Sequence, residues 1–132
     1  MGTAMKIIQD DSLREVEGGY EVQARLNWYR SLPLSCVEKV TLALDGKPVD
    51  PGKIRFGINE HEYRLEELDE LVEEFWFVQD SAVLHVLQPG AVAKGETHTI
   101  EAEITLRFPY IPVGFGKFLT TPTKYTTTQV AA

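Results

Sequence analysis

Cysteine and long apolar runs are both nearly absent from this chain. Its only cysteine is Cys36, and a single thiol cannot form a disulfide within the chain. No apolar stretch reaches ten residues, whereas a transmembrane helix needs about 20. The first eleven residues also lack the apolar run of a signal peptide. These absences favour a protein of the reducing cytoplasm and exclude a transmembrane helix.

Basic residues are scarce as well. The chain has 13 lysines and arginines against 20 aspartates and glutamates, which gives a formal net charge of −7. Nucleic acids and anionic membranes are bound by basic patches, and the chain contains no run of Lys or Arg. We therefore expect neither a nucleic acid nor a membrane as its partner.

The length and composition fit one folded domain. With 132 residues, 43% of them hydrophobic, the chain is long enough to enclose one core. We predict a single domain over residues 1–132, with loose ends at residues 1–4 and 129–132.

The strongest pattern is an alternation of apolar and polar residues with a period of two. It runs from Tyr20 to Trp28 and again from Ile100 to Phe108. A strand with one face in a core and the other in water has this period. Strands of a parallel sheet would instead be continuously apolar, so the pattern favours antiparallel pairing.

Turn residues about every ten positions separate further strands. Asp45-Gly46 is a strong signal for a tight hairpin, because glycine tolerates the positive φ of a type I′ turn. Shorter strands are predicted at 40–44, 54–58, 61–65, 75–78 and 82–87. The spacing predicts an all-β fold, an antiparallel β-sandwich of the immunoglobulin-like or jelly-roll-like kind, rather than a doubly wound fold.

Two segments depart from the strand pattern. Leu65, Leu68, Leu71 and Val72 recur at helical spacing among acidic residues, which predicts one short helix on the sheet. Residues 114–129 are rich in threonine and contain Pro122, which has no amide donor. This segment is predicted to be either a last edge strand or an arm.

The sequence contains no compact motif for catalysis or metal binding. His61, His85 and His98 are too far apart for a local metal motif, so we interpret them as structural histidines, with a site assembled across strands as the alternative. Cys36 beside Val37 is typical of a buried apolar residue. We predict no catalytic residue, metal ligand or cofactor in this chain.

Two aromatic-rich segments follow the two long strands and are the candidate site for a partner. Aromatic residues and arginine are enriched at the cores of protein interfaces. The alternative is that both segments fold back over the end of the sandwich. The predicted interface consists of Trp28, Tyr29, Arg30, Leu32, Pro33, Leu34, Phe108, Tyr110, Ile111 and Phe115.

The same segments carry a resemblance to a known family. The most specific motif is Tyr29-Arg30-Ser31-Leu32-Pro33-Leu34-Ser35, and it is joined by Asp11-Ser12-Leu13-Arg14, Asp45-Gly46 and Arg107-Phe108-Pro109-Tyr110. From about residue 11 to residue 110 the chain resembles the small β subunits of bacterial C-glycoside deglycosidases.

The resemblance implies a partner and a reaction. Such β subunits are β-sandwiches that pair with a larger α subunit, a TIM barrel similar to sugar isomerases and epimerases that holds a divalent metal, expected to be Mn²⁺. The pair cleaves the carbon–carbon bond between a 3-oxo sugar and an aromatic, flavonoid-type aglycone. By this resemblance, the metal and the catalytic residues belong to the α subunit, and this chain shapes the pocket and stabilises the barrel.

Two other functions remain open at this point. A stand-alone carbohydrate-binding module would use Trp28, Tyr29 and Tyr110 as a stacking platform for sugar. A small independent enzyme would need folding to bring together His85, His98 and the acidic segment 66–74.

Replacing Trp28 or Arg30 with alanine is expected to weaken assembly with the α subunit before it affects the chemistry. An aromatic or arginine anchor buried at an interface contributes about 2 kcal/mol or more. Co-purification measures assembly, and turnover by the saturated complex measures the chemistry. Variants that assemble normally with full activity would contradict the interface prediction.

Overall fold

The computed structural model describes residues 6–26, 31–114 and 117–132, with the backbone alone for 109–113 and 117–118. The described residues form eleven strands joined by turns and short 3₁₀ segments. The strands are β1 (Arg14–Val16), β2 (Gly19–Arg25), β3 (Leu32–Pro33), β4 (Val37–Leu44), β5 (Lys47–Pro48), β6 (Ile54–Ile58), β7 (His61–Arg64), β8 (Phe75–Trp76), β9 (Ser81–Val86), β10 (Thr97–Gly114) and β11 (Lys117–Val130).

The strands form two main sheets and one small pair, and every pairing between them is antiparallel. One sheet has the order β1-β2-β9-β6-β7, the other the order β11-β10-β4-β5, and β3 pairs with β8. The predicted all-β antiparallel fold is confirmed.

Both sheets contribute one face to a common core. In β2, Val22 and Ala24 are fully buried, whereas the intervening Gln23 is only half-buried. In β10, Ile104 is buried in the same core cluster. The alternation of the two long strands therefore reflects a sandwich with one dry face per sheet, as the sequence predicts.

The hairpin between β4 and β5 has the predicted turn. Asp45 and Gly46 both have positive φ, 51° and 82°, which is the signature of a type I′ turn. The Asp45 backbone N–H donates to the Thr99 carbonyl, and the Thr99 N–H donates to the Asp45 Oδ1, each over 2.8 Å. The turn is thereby fastened to the start of β10.

The predicted short helix is a 3₁₀ helix over Leu65–Glu70. Leu65, Leu68 and Leu71 are three residues apart, so in a helix with three residues per turn they share one face, and Leu68 is buried there. Val72 lies off this face and is exposed. Among the described residues, no helix has the length and apolar character needed to cross a membrane.

Residues 114–129, predicted to be either an edge strand or an arm, belong to a strand that is both. β11 lies at the edge of its sheet and pairs with β10 from Thr97 to Gly114, with Pro122 opposite Thr105. On its other side, β10 pairs with β4 only from Ile100 to Leu106. Beyond Leu106 the two strands therefore continue as a two-stranded arm.

The prediction that residues 129–132 are loose is wrong. The Gln129 Oε1 accepts the backbone N–H groups of Ser12 and Leu13, each over 2.9 Å, and its Nε2 donates to the Gln9 carbonyl. Ala131 is buried, and the Ala132 N–H donates to the Leu13 carbonyl. These residues are ordered because they close the sandwich against the N-terminal segment. Residues 1–4 lie outside the described part.

Replacing Gln129 with leucine is expected to lower the free energy of unfolding by about 2 kcal/mol, because it leaves two buried backbone donors without an acceptor. Chemical denaturation of both proteins measures the difference. The matched control is Thr126→Leu on the same strand, where the side chain is exposed and a change below about 0.5 kcal/mol is expected. Equal stability of the two variants would show that this bonding has no role.

Candidate partner-docking site

Residues 32–34 follow the aromatic-rich residues 27–30, here called the first aromatic loop, and are bonded to residues 74–76, about forty positions further along the chain. Leu32 pairs with Trp76 and Pro33 with Phe75. The Leu34 N–H then donates to the Glu74 carbonyl over 2.7 Å. Residues 32–34 and 74–76 therefore form one unit at an end of the sandwich.

The arm begins beside this unit. The Arg107 Nη2 donates to the Ser35 carbonyl over 3.1 Å, and its Nη1 lies 3.3 Å from the Glu38 Oε2. The neighbouring Leu106 is paired with Val37. Three segments thus meet, and together they are called the arm end of the molecule: residues 31–38, residues 71–78, and the arm (residues 107–114 and 117–120).

Three residues of the predicted interface lie inside the core. Leu32, Leu34 and Phe108 are each at most 1% exposed. Leu32 faces inward because it pairs with β8, Leu34 lies in a buried 3₁₀ turn, and Phe108 continues the inward face of β10. The expectation that these side chains are exposed is wrong, and for them the alternative of folding back over the sandwich is correct. Pro33 is half-buried.

The other predicted interface residues stay predictions. Trp28, Tyr29, Arg30 and Phe115 lie outside the described residues. Tyr110 and Ile111 are placed on the arm by the backbone of β10.

The residues on either side of the first aromatic loop are described. Leu26, which precedes it, is buried, and the Oγ of Ser31, which follows it, accepts the Val78 N–H over 3.0 Å. Ser31 therefore lies at the arm end.

Four exposed apolar side chains at this end were not predicted from the sequence: Val72, Phe75, Phe77 and Val78. Between the two phenylalanines, Trp76 points inward, where its ring meets Phe56 edge-on at 5.3 Å. Because side chains alternate along a strand, a buried Trp76 directs both neighbours outward. The unbroken apolar run 75–78 was the available signal, since a surface strand has no reason to be apolar on both faces.

His98 lies between two carboxylates at the far end of β10. Its Nδ1 is 2.5 Å from the Asp45 Oδ2, and its Nε2 is 3.0 Å from the Glu96 Oε1. The hydrogen bond to Asp45, followed by that to Glu96, raises the pKa of His98. The Thr99 amide and then His98 lower the pKa of Asp45, and His98 is the main cause of the lowered pKa of Glu96.

The remaining reactive side chains are dispersed. His85 lies in the sheet that does not contain His98, and its Nδ1 is 3.1 Å from the Oε2 of Glu62 in the same sheet as His85. The structure therefore does not bring His85 and His98 together, as the small-enzyme hypothesis requires. Burial raises the pKa of the Cys36 thiol, an effect that Arg107 partly opposes. Across the described ranges, no group of three or more His, Cys, Asp or Glu side chains is placed to hold a metal ion.

Comparison with known proteins identifies the family. A family model described as "C-glycoside deglycosidase beta subunit" matches residues 3–110. The chain is also 38% identical over 108 residues to a "3'-dehydrocarminate deglycosidase beta subunit" from Microbacterium sp., covering 82% of this chain and 80% of that protein. This chain belongs to the C-glycoside deglycosidase beta subunit family.

Further relatives of the C-glycoside deglycosidase beta subunit family cover most of the chain. One from Microbacterium trichothecenolyticum is 35% identical over 127 residues, which are 96% of this chain and 95% of that protein. One from Arthrobacter globiformis is 34% identical over 113 residues, 86% of each chain. The resemblance found in the sequence is confirmed, and the family name implies a partner subunit within a heteromer.

The stabilising effect of His98 is expected to depend on pH. Its raised pKa contributes stability below the ordinary value of 6.5, and this contribution is lost as the pH rises through the raised value. The lowered pKa values of Asp45 and Glu96 contribute stability that is fully present above the ordinary values of 3.8 and 4.5. The three groups together therefore stabilise the fold most between about pH 4.5 and pH 6.5.

The difference in unfolding free energy between the wild type and His98→Gln should therefore be larger at about pH 5.5 than at about pH 8.5. Denaturation at both pH values measures it. His61→Gln is the control, because His61 is exposed and has no ion pair with any described residue. A difference that does not change with pH would contradict the stabilising role of the ion pairs of His98 with Asp45 and Glu96.

Proposed function

We propose that this chain is the accessory β subunit of an enzyme that cleaves the carbon–carbon bond between a 3-oxo sugar and an aromatic, flavonoid-type aglycone. The observation that carries the proposal is the family match over residues 3–110, together with relatives named as deglycosidase beta subunits. The name 3'-dehydrocarminate deglycosidase beta subunit supports a substrate whose sugar is already oxidised at position 3.

A ketone at C3 of the sugar explains how such a bond can break. It acidifies the proton at C2, and loss of that proton allows elimination of the aglycone carbon, which is reprotonated. In the proposal, the base and the acid belong to a TIM-barrel α subunit similar to sugar isomerases and epimerases. A divalent metal there, expected to be Mn²⁺, would stabilise negative charge on the ketone oxygen as a Lewis acid.

The residues of this chain are proposed to act by shape rather than by proton transfer. Among the described residues no group of three or more His, Cys, Asp or Glu side chains is placed to hold a metal ion, and the proposal assigns the metal to the α subunit. Instead, the buried Leu32, Leu34 and Phe108 fix the base of the arm end. A rigid base lets the arm and the first aromatic loop close one side of the α subunit's pocket and exclude water from it.

We also place the assembly in the cytoplasm. The only cysteine, Cys36, is a free thiol buried in the core, so the fold does not depend on oxidising conditions.

Reconstitution tests the proposal. The α subunit from the same genome is purified alone and with this chain, and release of the aglycone from a 3-oxo C-glucoside is measured for each subunit and for the mixture. We expect efficient turnover only from the mixture, with both chains eluting together. Turnover by this chain alone, or an α subunit that neither binds it nor responds to it, would contradict the proposal.

The carbohydrate-binding alternative is tested with the same preparation. Calorimetric titration of the lone chain with the sugar and the C-glucoside is expected to show no binding. Measurable sugar binding without the α subunit would favour a stand-alone binding module.

A further inference from the structure

We propose that Val72, Phe75, Phe77 and Val78, here called the Phe75–Phe77 patch, form the principal contact of this chain with its α subunit. The inference rests on the proposed function and deepens it. It assigns to the partner a matching surface, namely an apolar recess edged by basic residues.

Exposure singles out this patch. Among the described residues, five large apolar side chains are exposed, and four of them are Val72 (63%), Phe75 (36%), Phe77 (46%) and Val78 (37%). They lie within seven consecutive positions. Folded proteins leave single apolar residues in water, but four exposed within one short segment, two of them with stacked rings, indicate an interaction site.

The two phenylalanines are held in place before any partner binds. Their rings stack with centroids 6.1 Å apart and planes 24° apart. Trp76 is fixed between them by burial and by an indole hydrogen bond to the Asp80 carbonyl over 2.9 Å. Side chains that are already ordered lose little freedom on binding, so the patch can contribute most of its buried area to affinity.

The backbone of the patch is also held on both sides. On one side, Phe75 pairs with Pro33. On the other, the Asn59 Nδ2 donates to the Phe75 carbonyl over 2.9 Å and to the Glu74 Oε2 over 3.1 Å. Hydrogen bonds on both sides therefore fix the backbone of the patch, as they would not in an irregular exposed loop.

Charge around the patch selects the kind of partner. Residues 60–80 contain nine acidic side chains and one arginine, Arg64. Glu70 and Glu73, which flank Val72, are both exposed. A second copy of this chain would bring two acidic rims together, and like charges across an interface oppose association. A different protein with basic residues around an apolar recess is the complementary occupant.

The patch is continuous with the segments already predicted to meet the partner. The Val78 N–H is bonded to Ser31, the residue that follows the first aromatic loop, and Glu74 is bonded to Leu34. An α subunit that covers the patch therefore also meets the described end of the segment that the sequence predicts as its interface.

The test compares the affinity of full-length variants for the purified α subunit. The double variant Phe75→Ser/Phe77→Ser is expected to bind at least about 30-fold more weakly, since aromatic anchors dominate interface energies. The matched control is Val130→Ser, which removes the fifth exposed apolar side chain, 59% exposed, from the other end of β11. Val130 pairs with Thr97, ~30 Å along β10 from Leu106, and its loss should change affinity by less than about threefold.

A charge reversal beside the patch provides an independent test of the proposed contact. Glu73→Lys is expected to slow association by about threefold or more at low salt, with less effect at high salt. Glu101→Lys makes the same change in net charge on the outer face of β10 and should leave the rate close to that of the wild type. Thermal unfolding of every variant verifies that binding is compared between folded proteins.

The outcomes separate this inference from the proposed function. If the wild-type chain does not bind the α subunit, the proposed function is wrong and the inference falls with it. If the wild type binds and Phe75→Ser/Phe77→Ser binds within threefold of it, the inference alone is wrong. Light scattering of the lone chain covers the remaining case: a dimer abolished by the same double variant would make the patch a self-contact and overturn the inference.

Discussion

The register of β10 is the constraint on which the rest of the molecule depends. This strand pairs with β11 along its length and with β4 over Ile100–Leu106. Its inward side chains, from Ile100 to Phe108, belong to the core shared by both sheets. Because side chains alternate along a strand, a slip by one residue would expose all of them and bury Glu101 and Glu103. The same register places Arg107 at the base of the arm, where it bonds to Ser35.

Sequence predicted the features that local chemistry determines. The alternating strands and the Asp45-Gly46 turn follow from side-chain period and from the positive φ of neighbouring residues, so they could be identified without knowing the fold. The leucine spacing of residues 65–71 also predicted a helical segment. Its 3₁₀ form explains why Val72, four positions after Leu68, falls off the buried face.

Long-range pairing determines what the sequence could not reveal. Leu32 and Leu34 looked like exposed loop residues because their partners, Trp76 and Glu74, are far along the chain. Gln129 looked like part of a loose end because the backbone N–H that its side chain accepts belongs to Ser12, 117 positions away. Residues 32–34 and the start of the arm lie at the arm end, whereas the exposed apolar residues 72–78 at the same end were recognised only from the fold.

The separation between Gln129 and its N-terminal partners has a consequence for the order of folding. Joining residues so distant in sequence costs more chain entropy than zipping the β10–β11 hairpin, whose strands are neighbours. We therefore expect the hairpin to form early and the N-terminal edge to close late. During that interval a partly folded chain carries unpaired strand edges and uncovered apolar residues, the state in which proteins aggregate. A partner subunit that is present during synthesis would shorten the lifetime of this state, so the yield of this chain in its folded form would be linked to that of its partner.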